Sequence, residues 1–290
     1  MTDFLEQVVA ERRADVQRAK ARVPVLDLAT RTPRSVRLGR HAIEGVVGAI
    51  SAATSPRAML DPFSAMFSFT GDRLAVIAEV KRRSPSLGIL SETVDPAAQA
   101  RAYAAAGASA ISVLTEPRHW GGSIPDLVAV CQAVDIPVLC KDVIVDDYQI
   151  DEAYAAGADA ILLIAEALED QVLRRFIAHA RSLGLGVLVE AHEPAAFGRA
   201  VATGAPVVGV NARNLRRPAD IDIGRVRQLH AFVRADQFLV AESGIASVDD
   251  ARLLPSRVDA VLIGTALMRA EDPTPLIRGI ASIRRTAVVR

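Results

Sequence analysis

Glu79 and Lys81 stand two residues apart, where the apolar run Leu74–Val80 gives way to the polar loop Lys81-Arg-Arg-Ser-Pro-Ser-Leu-Gly88. In a strand, residues i and i+2 share a face, so the carboxylate and the ammonium project together. An opposite-charge pair at the end of a buried strand is costly unless it is used or solvated. The arrangement recurs. Lys141 follows Pro137–Cys140, Glu190 follows Gly186–Val189, Asn211 and Arg213 follow Val207–Val210, and Glu242 with Ser243 follows Phe238–Ala241. In Leu139/Lys141, Leu188/Glu190, Gly209/Asn211 and Val240/Glu242 the polar residue shares the face of a strand residue. Two lysines and three glutamates converging at one place are the parts of general acid–base catalysis.

A second set of residues reads as an anion site. Glu242-Ser-Gly-Ile245 and Ile263-Gly-Thr-Ala266 place Gly244, Gly264 and Thr265 where backbone N–H groups can approach a phosphate. Ser84 in the first loop can add a hydroxyl. Trp120, within Arg118-His-Trp-Gly-Gly-Ser123, is a candidate aromatic wall. His192 reads as a solvated loop histidine, and His41, His119, His179 and His230 lack metal-ligand spacing, so no metal is expected. Asp146-Asp147 reads as a helix cap, and Cys140 as a buried, inert thiol.

Something must position these groups. Further apolar runs at Ala110–Leu114, Ala160–Ile164 and Ala260–Ile263 bring the total to eight, with Ala-rich helical segments between them. Near-continuous apolar strands alternating with helices indicate a parallel sheet buried on both faces. Ala105-Ala-Gly-Ala, Ala155-Ala-Gly-Ala and Ala202-Thr-Gly-Ala repeat one helix-end grammar, with a glycine suited to the left-handed cap. Eight such units predict an α/β fold, a (β/α)8 TIM barrel over residues 74–290 with its site at the C-terminal strand ends. Residues 3–22 read as an amphipathic helix with Phe4, Val8 and Val9 inward and Arg12 on a charged face. Residues 27–73 read as short helices and loops. The expectation is a single domain, with residues 1–73 a helical extension covering the barrel mouth.

Composition narrows the class. Thirty-four acidic and 34 basic residues among 290 cancel, which gives no reason to expect nucleic acid or an anionic membrane as partner. Two cysteines without CxxC spacing argue against a disulfide framework and fit a reducing cytoplasm. No basic-then-apolar leader and no long apolar run are present, so a soluble, cytoplasmic protein is expected.

The ordered motifs resemble the indole-3-glycerol phosphate synthase family of tryptophan biosynthesis. They are Ile77-Ala-Glu-Val-Lys-Arg-Arg-Ser-Pro-Ser86, Ser112-Val-Leu-Thr115, Pro137-Val-Leu-Cys-Lys-Asp142, Tyr148-Gln149 and Leu188-Val-Glu190. They continue through Asn211-Ala-Arg-Asn-Leu215, Glu242-Ser-Gly-Ile245 and Gly264 with Leu267-Met-Arg269. The resemblance implies ring closure of 1-(2-carboxyphenylamino)-1-deoxyribulose 5-phosphate with loss of CO2 and water and with no metal or organic cofactor; a monomer is the expected state. By family position it implies Lys141 as the acid of ring closure, with Lys81 binding the substrate carboxylate or protonating the leaving hydroxyl and the division of steps between the lysines left open, and Glu190 and Glu79 for the dehydration. Asn211 and Glu242 would orient the reacting groups, and Arg213 would support the carboxylate. Val143 stands where the family commonly has phenylalanine. A sugar-phosphate isomerase, a paralogue of a specialised indole pathway and a catalytically retired barrel are the rival readings.

Overall fold

Each apolar run becomes a strand. In the computed structural model, which describes residues 3–24, 28, 61–91 and 93–285, the strands are β1 (Ala75–Val80), β2 (Ala110–Leu114), β3 (Val138–Lys141), β4 (Ala160–Ile164), β5 (Gly186–Ala191), β6 (Val207–Asn211), β7 (Phe238–Glu242) and β8 (Ala260–Ile263). All neighbours pair in parallel, and β1 bonds to both β2 and β8, so the sheet closes on itself. The predicted barrel is the observed one.

Closure splits the core in two. Val76, Ala78, Ile111, Cys140, Ile161, Val208 and Val261 face outward and pack beneath the surrounding helices. Ala75, Ile77, Ala110, Leu139, Ala160, Leu162, Leu188, Val207, Val240 and Leu262 fill the interior. This period of two fixes the site. A slip of one residue would carry Glu79, Lys141, Glu190 and Glu242 into the apolar helix layer, so burial itself enforces the register. Gly107, Gly157 and Gly204 take φ of 101°, 89° and 69° at the ends of the helices before β2, β4 and β6, as the repeated Gly grammar predicts.

The extension divides between the two ends of the barrel. Helix α1 (Phe4–Arg22) is capped by Asp3, whose side chain accepts the N–H groups of Leu5 and Glu6. Its buried stripe is Leu5, Val8, Arg12 and Val16. Arg12 therefore leaves the charged face assigned to it. Phe4 donates its N–H to Arg216 O after β6, and His119 Nε2 after β2 lies 2.7 Å from Glu11 Oε2, so α1 straddles the strand ends. Helix α2 (Pro62–Phe69) packs at the opposite end instead. Phe67 stacks on Phe238, the first residue of β7, at 4.4 Å between ring centroids, and Asp61 and Phe63 lie over Gly186. The expected short helices and loops of residues 27–60 fall, except for Leu28, outside the described residues.

Candidate active site

Inward-facing residues at the ends of β1, β3, β5, β6 and β7 meet at one place. Lys141 Nζ lies 2.8 Å from Glu242 Oε2, 3.5 Å from Glu79 Oε2 and 3.8 Å from Glu190 Oε2. Lys81 Nζ donates to Glu79 Oε1 at 2.6 Å, the pairing that i/i+2 parity predicts. Asn211 Nδ2 reaches Glu190 Oε2 at 3.4 Å, and Asn211 Oδ1 accepts the Arg213 N–H at 2.9 Å. The six proposed catalytic residues thus form one cluster.

Its electrostatics are uneven in a useful way. Burial pulls the Lys141 ammonium toward neutrality, but Glu242, Glu190 and Glu79 together outweigh it and raise its pKa above the usual lysine value. Burial also opposes ionisation of Glu79, yet Lys81 and Lys141 hold its carboxyl below the ordinary range. Glu190 goes the other way: burial, then the neighbouring Glu242, push it well above that range. Two carboxyls about one ammonium are therefore driven apart in acidity, the pattern of an acid–base pair.

Two glycines make room for the cluster. A Cβ on Gly209 would stand 2.2 Å from Glu242 Oε1, and one on Gly264 would stand 2.2 Å from Glu79 Oε1 and 2.9 Å from Lys81 Nζ. Gly264→Ala is expected to displace the Glu79–Lys81 pair and lower kcat/KM by about tenfold or more, since small misplacements at a reacting centre are costly. Steady-state kinetics with the folded variant check this.

Two chambers open from these charges. One is apolar, walled by Phe4, Leu5 and Val8 of α1 together with Trp120, Val143, Leu162, Ile164 and Leu215. The other is polar at Ser86, Gly244, Gly264, Thr265 and Arg269 and aliphatic at Leu87, Ala219, Ile221 and Ile245. Glu79, Lys81, Lys141, Arg213 and Ser243 border both. Ser243 sits at φ 67°, unusual for a residue with a Cβ, and Gly244 follows at 76°. Trp120 is the expected wall: Phe4 meets it edge-on at 6.2 Å, and Glu116 accepts its N–H at 3.1 Å.

Two expectations change. Ser84 is buried in a two-residue ribbon, Arg83–Ser84 against Gly88–Ile89, and borders the apolar chamber. The turn brings Ser86 to the polar chamber instead, where its Oγ accepts from Arg213 Nη1 at 2.7 Å. Arg213 stands beside Ser86 while still bordering the apolar chamber, where the carboxylate side was expected. His192 is buried, not solvated, with Nδ1 2.8 Å from Asn211 O. Cys140 behaves as read, since burial pushes its thiol up.

The model of the indole-3-glycerol phosphate synthase family matches residues 5–280. The chain belongs to that family. Indole-3-glycerol phosphate synthase of a Nocardioides species is 52% identical over 225 residues, covering 77% of this chain and 85% of that one. Indole-3-glycerol phosphate synthase 1 of Streptomyces coelicolor is 40% identical over 279 residues, covering 96% and 94%. The thiamine phosphate pyrophosphorylase of Pyrococcus furiosus shares the fold alone, with TM-score 0.53 and 18% identity, covering 73% of this chain and 95% of that chain.

Within this synthase fold, sequence reasoning missed several contributors. Gly209 reads along the chain only as a strand residue, although a glycine inside an inward-facing row already signals a large neighbour. Leu162 and Ile164 of β4, a strand without a polar end, line the apolar chamber. Glu116 is buried and accepts the N–H groups of Arg118, His119 and Trp120. No spacing rule marks it, because its partners are the next loop's own backbone.

Proposed function

We propose that this chain performs indole-3-glycerol phosphate synthesis with Lys141 as the acid of ring closure. One observation supports this most: the buried ammonium stands between an apolar chamber suited to the carboxyphenyl ring and a polar chamber suited to the phosphate. In the first step the ring carbon bearing the carboxylate attacks the ketose carbonyl, whose oxygen takes a proton from Lys141. The carboxylate then leaves as CO2, and its bonding electrons restore the aromatic ring. In the second step the hydroxyl so formed leaves as water with a proton from an acid, and a base takes a proton from the adjacent ring methylene. Glu190, held above the ordinary carboxylate range, suits the acid, and Glu79, held below it, suits the base. Lys81 would meet the substrate carboxylate or assist the leaving hydroxyl.

Asn211 and Glu242 would orient hydroxyls and the lysines. Glu242 Oε1 is buried without a donor among the described residues, which supports its accepting one from substrate. Arg213, Ser243, Ser86, Gly244, Gly264 and Thr265 would hold the phosphate, and α1 would cover the mouth. The working unit in this reading is a monomer. No helix among the described residues is long and apolar enough to cross a membrane, and we place the protein in the cytoplasm. Purified protein given the carboxyphenylamino-deoxyribulose phosphate should generate indole fluorescence without added metal. Folded protein that produces none would overturn the reading.

A further inference from the structure

Arg12 lies in the buried stripe of α1, only 7% exposed, where an unpaired guanidinium would be prohibitive. It forks onto Asp142, with Nε 2.9 Å from Oδ1 and Nη2 2.7 Å from Oδ2. Thr115 Oγ1 donates to Asp142 Oδ2 at 2.7 Å, and the Val143 N–H donates to Oδ1 at 2.7 Å. Both oxygens are thus fully engaged. Thr115 also gives its N–H to Lys141 O at 3.0 Å. The carboxylate that directly follows Lys141 is therefore clamped by residues 130 and 27 positions away.

We propose that Arg12 and Thr115 are positioning residues for Lys141: through Asp142 they fix the end of β3, so that the ammonium stays against Glu242 only while α1 is seated. This rests on the reading of Lys141 as the acid of ring closure. A lysine stem has four rotatable carbon links, so its ammonium is placed by its backbone anchor and by its far partner. Glu242 is the far partner, and the Asp142 clamp is the anchor. A shift of about 1 Å at a reacting group can cost about a hundredfold in rate.

The alternative is that Arg12 merely docks the helix. The two differ in what they move. Phe4, Leu5 and Val8 of α1 wall the apolar chamber, so loosened docking weakens substrate binding and raises KM. Displacing the end of β3 lowers kcat. Arg12→Met is expected to lower kcat by about 10- to 100-fold, with the smaller change in KM. Thr115→Val removes one bond to Asp142 without touching α1, and should lower kcat severalfold at unchanged KM. Val16→Ala is the control. Val16 packs on Leu28, Tyr148 and Ala155 away from the chambers, and its loss should cost stability while kcat stays within about twofold.

Amide exchange of the Lys141–Val143 segment supplies a readout that needs no turnover. It should quicken in Arg12→Met and Thr115→Val but not in Val16→Ala. Unchanged kcat or unchanged exchange in the first two variants overturns the proposal. So does an equal kcat loss in Val16→Ala at matched stability. Should Arg12→Met fail to fold, Thr115→Val decides alone. A wild-type enzyme that ignores the carboxyphenylamino substrate would sink the functional reading, while exchange would still decide the clamp.

Discussion

Lys141→Met is expected to lower kcat by about 10^3-fold or more with little change in KM, as removal of a group acting mainly in the transition state should. The methionine keeps the length and the apolar stem but no proton and no charge. Glu79, Glu190 and Glu242 then lose the cation they share. Buried carboxylates left without a partner are costly, on the order of 3–5 kcal/mol when an ion pair is broken from one side. The variant should therefore also be less stable at neutral pH. The deficit should shrink as the pH falls, because protonation relieves the repulsion that Lys141 had balanced. Turnover and thermal melts across pH check both parts. A variant changed only in KM would show that the ammonium binds substrate without acting on it.

Glu190→Gln separates catalysis from stability in the opposite sense. Activity should fall by about 10^2- to 10^4-fold, the range for losing a general acid or base. The fold should gain. Glu190 carries a raised pKa because burial and Glu242 disfavour its ionised form, so the folded state binds this proton more tightly than the unfolded chain does. Its contribution is fully present below the unfolded value of about 4.3. It is lost progressively as pH rises toward the higher folded value. Glutamine cannot ionise, and its carbonyl can still accept from Asn211. The variant should melt above the wild type at neutral pH, by about 2–4 °C for each kcal/mol recovered. The two curves should converge at acid pH. A melting point equal to wild type throughout would show that Glu190 is not strained by its surroundings.

Much of this protein was legible along the chain. Eight apolar runs, period-two parity and the repeated Gly grammar pointed to a parallel sheet buried on both faces, and eight is the number that closes a barrel. An open doubly wound sheet satisfies the same burial, and only the pairing of β1 with β8 decided for closure. The same parity determined that Glu79 and Lys81 share a face, and that Lys141, Glu190, Asn211 and Glu242 point inward. Tertiary structure alone decided how these groups divide their labour. Lys141 gathers three carboxylates from strands up to 101 positions away, and the resulting field sets Glu79 and Glu190 on opposite sides of the ordinary carboxylate range. It also decided that Ser86 rather than Ser84 faces the polar chamber, since a turn re-aims side chains in a way no alternation rule follows. Arg12 shows the limit most plainly. Spacing of charges along α1 placed it in solvent. Asp142, reachable only once the barrel has closed beneath the helix, draws it inside, because a buried guanidinium is tolerable only where a carboxylate already waits for it.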